Sequence, residues 1–510
     1  MEGSNFISND FKLMLGAVII LYIIGVYAIS YYAERRVKNV EDYVVAGRRL
    51  GIGLSWPALL AIWFGAGTIL TVSSEVANNG LKQVSLDPFG SGVCLLIAGA
   101  FFAKPLWKMG ITTLSDFFRI KFGATAEVVS ASIMIPSFFG WIAAQFVALA
   151  QILHLFFGLP LNVGAVLVTI VGTGYTILGG MWAVTLCDAT QIWLVLIGLV
   201  ILTCSALAGL GHGDVMIGFA NVIHCVQSTA PQKLQLIPTH NHGELWTWMS
   251  LFAAGALGNI PSQDLMQRMF SAKSEKVAQN ACYIAGIAYI LFGALPVILG
   301  FVSIYMARNT GFNLGPEVSV LPALAKGFLP PWLAVVFVVV IVAAVMSTIN
   351  SAILSPATVL AQNILYKNKF IQKRIDPLKL NRLCVVFMAV CSLITVFSGE
   401  RAYGLLESAY SIPLVGLFVP LAFGLYSKTK SEIPAVCSML VGILTWMTQY
   451  MLGWQYFLEP ISPFDKLDLP LTLTSTLCSL ITYVACDFVS SKVLAKRPLE
   501  MNEPELSNIA

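Results

Sequence analysis

Ser347, Thr348, Ser351 and Ser355 interrupt an apolar run in the stretch AAVMSTINSAILS, residues 343–355, with no lysine or arginine nearby. A spacing of four puts Ser347, Ser351 and Ser355 on one stripe of a helix, with Thr348 beside the first. A hydroxyl in an apolar helix is satisfied by its own i−4 carbonyl, or by a neighbouring helix for about 1–2 kcal/mol. That accounts for Ser351 and Ser355. The adjacent hydroxyls of Ser347 and Thr348 aim two oxygens into one small volume. Neutral hydroxyl and carbonyl oxygens replace the hydration shell of a hard cation without a full counter-charge, and sodium fits that description.

Such a site needs a second element that brings carbonyl oxygens opposite. Two segments carry the necessary breakers: LSWPALLAIWFGAGTIL, with Pro57, Gly65 and Gly67, and LFAAGALGNIPSQDLM, with Gly255, Gly258 and Pro261. A helix interrupted at depth offers unwound carbonyls to a cation and amides to an anionic group. Gly and Pro also serve close helix packing, so the breakers alone leave both readings open.

These segments sit in a chain of 510 residues that is 57% hydrophobic and 11% charged, with a mean hydropathy of +0.80. Water-soluble chains of this size do not have that balance. Apolar windows recur near 12–33, 51–76, 84–105, 126–157, 161–178, 183–209, 245–267, 279–307, 331–366, 380–399, 403–426, 432–454 and 469–491. Each approaches the roughly 20 helical residues that cross a hydrocarbon core. The expectation is an all-α membrane protein of about 13 transmembrane helices, a single integral unit over 1–510. The first window lacks a basic n-region and a small-residue cleavage site and runs longer than a signal's apolar core, so it reads as a retained span.

With the amino terminus outside, 23 of the 30 Lys and Arg fall on the cytoplasmic side, including Arg48, Lys104, Arg268 and Lys373. That asymmetry predicts a multi-pass cell-membrane protein with its carboxyl terminus, a short tail over 492–510, in the cytoplasm. The two interrupted segments then occupy matching places in two five-span blocks of opposite orientation, 51–209 and 245–426. Spans 12–33 and 432–491 are peripheral. This is an inverted-repeat pattern.

Ten cysteines are scattered singly, and four histidines lie in a loop expected over 210–244. The THNHG run, with His240 and His242, reads as solvated loop because no carboxylate or thiol cluster lies at ligand spacing. No nucleophile–base constellation is visible, so an enzyme is not expected, and the net charge of +4 is a topology signal that implies no nucleic acid.

AAVMSTINSAILSPATVLAQNILYK (343–367), YTILGGMWAVTLCDATQ (175–191), IPSQDLMQR (260–268) and, in weaker form, GLYSKTKSEIPAVCSMLVG (424–442) together resemble the sodium:solute symporter family. The last departs from the pattern, with Ala435 and Val436 where Gly-Ala is usual. The resemblance implies a LeuT-type five-plus-five fold with two broken helices. It also implies a sodium ion held by the carbonyls of Ala61, Phe64 and Ala344 and the hydroxyls of Ser347 and Thr348. Asp188 matches a family carboxylate tied to cation access or a second ion; read by itself it is an interfacial acid that pairs or snorkels.

Within the family, AIWFGAG, FFAKP and GWIAAQFVALA look most like choline-transporting members, which would make Trp63 and Trp141 pocket walls that attract a quaternary ammonium. Where those members carry a tyrosine, a tryptophan and an acid, this chain has Ser91, Ser262 and Ser250. That leaves an aromatic box with walls missing and no counter-charge, better suited to a hydrogen-bonding solute. The implied function is sodium-coupled import of a small organic solute, either a choline-like compound, an amino acid or a carboxylate. The competing readings are proton coupling, with Asp188 as carrier, and a channel or sensor on the same scaffold. Partners expected are the solute and the lipid bilayer, with no obligate protein partner.

Overall fold

The computed structural model describes residues 9–65, 67–239, 242–310, 320–397, 402–427, 431–461 and 467–495. His240 and most of the 492–510 tail lie outside them. Among the described residues the regular structure is helical, and ten helices are long and apolar enough to cross a membrane, or eleven counting one bent pair. The shortfall from thirteen windows has two causes. Windows 161–178 and 183–209 share one 50-residue helix, Leu161–Leu210, which turns at Gly180. Window 245–267 is split into two short helices, the second carrying Gln263, Asp264, Gln267 and Arg268.

The elements that matter for the site are α1, Asn9–Glu34; α2, Ile52–Trp63; and α3, Gly67–Asn79, bent 54° from α2. They continue with α4, Leu81–Lys108; α5, Ala124–Phe157; and α6, Leu161–Leu210. Next come α7, Val215–Thr229; α8, His242–Ala253; α9, Gln263–Ser271; and α10, Glu275–Thr310. The last five are α11, Pro331–Leu365; α12, Pro377–Val396; α13, Gly404–Tyr426; α14, Glu432–Met451; and α15, Leu471–Ala495.

Burial separates centre from rim. The apolar window of α11 is 83% buried and that of α5 78%, against 17% for α1 and 28% for α15. A helix apolar all round and buried all round belongs to a bundle core, whereas one apolar and exposed faces lipid. α11 packs against α6, α5, α2 and α12, while α14 and α15 pack chiefly on each other.

The region expected as a solvated loop over 210–244 contains α7 instead. Asp214 caps it by accepting from the amides of Met216 at 2.7 Å and Ile217 at 3.2 Å. Val222 and Val226 are buried in the face packed on α6, while Met216 and Ile217 are exposed. Its apolar residues at helical spacing carried that signal; the histidines masked it.

Gly180 adopts φ 51°, ψ −142°, and a Cβ there would stand 2.5 Å from the Tyr43 ring and carbonyl. Only glycine meets both conditions. Gly180→Ala is expected to cost at least about 1–3 kcal/mol of backbone strain, visible as a Tm several degrees lower in detergent-solubilised protein; an unchanged Tm would show that the bend relaxes freely.

Candidate functional site

α2 ends at Trp63, and Phe64 takes ψ 50°. In a continued helix the Gly65 amide would bond the Ala61 carbonyl; here it bonds Trp63 O at 2.7 Å. The Ala61 carbonyl is thereby released from the helix ladder inside a buried bundle, where it must find another partner. Thr348 on α11 supplies it: its Oγ1 lies 3.4 Å from Ala61 O and 3.2 Å from Ala344 O. The approach depends on Gly65, whose Cβ position is 2.3 Å from Thr348 Oγ1 and 3.0 Å from Gln145 Oε1. Ala61, Phe64, Ala344, Ser347 and Thr348 are all buried. Ala61, Ala344 and Thr348 meet directly, Ser347 adjoins them in sequence, and Phe64 stands at the break with its ring 5.3 Å from that of Tyr289.

Asp188 is fully buried. Its Oδ2 accepts from Arg268 NH2 at 2.8 Å, and its Oδ1 accepts the Ser347 hydroxyl. Arg268, also buried, donates to Ser351 Oγ. The serine stripe thus binds across to α9 as well as back along its own helix. Ser351 donates to Ser347 O at 3.1 Å, and Ser355 reaches Gln267 Oε1 at 2.9 Å and Ser351 O at 3.0 Å. With its hydrogen turned to Asp188, Ser347 Oγ keeps its lone pairs for another ligand.

Of the five solute candidates, Trp63, Ser262 and Trp141 are linked through Asp264 and one small gap, while Ser91 and Ser250 lie elsewhere. Trp63 is buried and donates its indole N–H to Asp264 Oδ2 at 3.0 Å, while Ser262 donates to Asp264 Oδ1. Ser262 and Trp141 face a gap of about 10 Å³ with Phe138, Asn259 and Tyr410, room for one water and no more. Ser91 is buried on α4, one turn from Asp87. Ser250 lines a different space, a cavity of about 620 Å³ bounded by Glu75, Glu407, Ser411 and Trp446. A second polar cluster involves none of the residues that line that cavity. There Glu127 holds Asn363 and Lys367, Asn363 also donates to Asp116 at 2.8 Å, and Gln263 bonds the Leu114 amide at 2.8 Å.

Asp264 and Asp87 escaped the sequence reading, and Arg268, counted there only as a topology charge, is buried and paired with Asp188. Asp264 supplies the negative charge expected to be missing beside Trp63. Both acids lay inside apolar windows, and an ionisable residue at that depth was itself the signal.

The family model of the sodium:solute symporter family matches residues 43–442. The human high affinity choline transporter 1 is 25% identical over 452 residues, 85% of this chain and 76% of that one. The sodium/proline symporter of Salmonella typhimurium is 25% identical, covering 87% and 89%, and the sodium/pantothenate symporter of Escherichia coli 24%, covering 87% and 92%. Among solved structures, a substrate-bound outward-open sodium-coupled sialic acid symporter superposes with a TM-score of 0.74 at 16% identity, over 94% of this chain and 98% of that one. The nucleobase-cation-symport-1 transporter Mhp1, in a closed conformation, gives 0.54 at 15%, covering 88% and 95%. The architecture is shared with these transporters, and the chain belongs to the sodium:solute symporter family.

Proposed function

We propose that this protein is a sodium-driven symporter that imports a small organic solute by alternating access. The observation that carries the reading is the meeting of Ala61 O, Ala344 O and Thr348 Oγ1 where the interrupted α2–α3 helix lies on α11. A sodium ion there takes oxygens from Ala61, Phe64, Ala344, Ser347 and Thr348, and ties the break to α11. Asp188 orients Ser347 for this role, so its part in cation binding is exerted through that hydroxyl. Sodium and solute each favour the arrangement they contact best, and the shared helix break couples them.

The topology that accompanies this reading has thirteen crossings. The turn at Gly180 divides α6 into two, α8 with α9 forms a second broken span, and 51–209 and 245–426 are five-span blocks of opposite sense. The amino terminus is outside and the carboxyl terminus cytoplasmic. The cavity with Glu75 and Glu407 is then the outer vestibule, and the Glu127–Lys367 cluster the inner seal. Trp63, Trp141, Ser262 and Ser91 surround the solute once the gap between them widens, and Ser250 guards the approach. A solute bearing a positive centre as well as hydrogen-bonding groups suits Asp264 with Ser262 and Ser91, which favours a choline-like compound or an amino acid over a carboxylate.

Sodium should stabilise the purified protein by mass action. In a thermal-shift titration, replacing both Ser347 and Thr348 by Ala should raise the half-saturating sodium at least about tenfold, equivalent to ~1.4 kcal/mol. An unshifted titration would refute the site. A solute panel run with and without sodium identifies the cargo, since only the transported class should stabilise more strongly when sodium is present.

Arg268→Gln strands the Asp188 charge and should cost about 3–5 kcal/mol of stability. Adding Asp188→Asn should restore most of the loss. A double variant as unstable as the single one would mean that packing, not charge, is what Arg268 supplies.

A further inference from the structure

Asp87, on α4, points into the bundle and is only 7% exposed. Its Oδ2 lies 2.6 Å from Thr68 Oγ1, its Oδ1 lies 2.9 Å from the Tyr289 hydroxyl, and those two hydroxyls touch each other. Thr68 also lies 3.2 Å from Trp63 O, a carbonyl already bonded by the Gly65 amide. Three oxygen groups therefore form a closed triangle around the start of α3.

Each side of the triangle is at hydrogen-bond spacing and needs one hydrogen. Thr68 and Tyr289 bring one each. With Asp87 ionised the triangle is one hydrogen short, and two oxygens face each other with nothing between them. With Asp87 protonated the count closes in a ring: Asp87 donates to Thr68, Thr68 to Tyr289, and Tyr289 back to Asp87. The spacing leaves no gap for a metal ion among these oxygens.

The surroundings point the same way. Among the described residues Asp87 takes part in no ion pair. From α10 the titratable group facing it is Tyr289, with Tyr410 of α13 beside that tyrosine. Along α4 there is Cys94, with Asp264 of α9 next to it. Toward the large cavity lie Glu75 of α3 and Glu407 of α13, and Lys82, five residues before Asp87, is paired with Glu244 at 3.2 Å. Arg268 is engaged by Asp188. A lone carboxylate at this depth is expensive, and taking up a proton removes the charge.

We propose that Asp87 is a proton-binding site of the transport cycle, loaded in the arrangement seen here and unloaded when α3 swings away and water reaches the carboxyl. This rests on the transporter reading only for the word cycle; the bound proton stands on the geometry alone. The proton comes from water and returns to it, forming and breaking one carboxyl O–H bond, with no other reactant. Because the group holds its proton more tightly closed than open, acid favours the closed arrangement and alkali releases it.

The proton is read directly by infrared difference spectroscopy of wild type minus Asp87→Asn at neutral pH. The expected result is a carboxylic C=O stretch that Tyr289→Phe shifts, since that variant removes the partner of Oδ1 and keeps Asp87. Absence of the band in the folded pair, or a band that Tyr289→Phe leaves unmoved, overturns the proposal. In proteoliposomes under a fixed sodium gradient, wild-type uptake of the solute found in the panel should change several-fold across about three pH units, the one-proton limit being tenfold per unit. Asp87→Asn should flatten that profile. A wild-type profile already flat, or a variant profile equally steep, overturns the coupling, whereas the infrared result stands whether or not any solute is transported.

Discussion

Everything at the centre of this molecule follows from one released carbonyl. A helix inside a bundle normally consumes its own backbone groups, and the Ala61 oxygen is freed because Gly65 turns its amide to Trp63. A bare carbonyl in an apolar interior is costly unless it is met. Thr348 meets it from the most buried of the described membrane-length helices, and the absence of a side chain at Gly65 lets the two approach. The same geometry that leaves the backbone unsatisfied gives it something to offer a cation.

Around that point the interior carries more charge than its apolar composition suggests. Asp188 and Arg268 neutralise each other through a direct contact and share Ser347 and Ser351 with α11. Asp264 is held by an indole N–H and a hydroxyl, with Arg268 one turn further along the same helix. Asp87 has hydroxyls alone. Three carboxyls and one guanidinium leave the core short of positive charge, and sodium, a solute cation and a proton are the species able to make up the difference. A transporter needs that deficit, because a core already neutral would have nothing to gain from its cargo.

The sequence made the scaffold legible wherever a local pattern carried the information. Apolar windows gave most spans to within a few residues, Pro and Gly marked both interruptions, and the four-residue spacing of the serines gave the right face of α11. Partners across space were another matter. Nothing local in IPSQDLMQR says that its arginine reaches Asp188, eighty positions earlier, or that its aspartate meets Trp63. Periodicity predicts which way a side chain points and is silent on what stands opposite. The same limit hid α7, where histidines in a short apolar helix looked like loop, and left the solute candidates scattered, since ungapped alignment assigns positions without knowing how far a gap has closed.

The Asp188–Arg268 contact has a mechanical meaning beyond charge. It joins α6 to α9, and α11 is pinned to both by its serine stripe. Moving α6 against α9 with this knot far from the rotation axis would tear apart a desolvated ion pair, at a cost of several kcal/mol. Any movement of these helices relative to one another is cheapest when it turns about the knot itself, which keeps the ion pair closed while the helix ends farther from it shift.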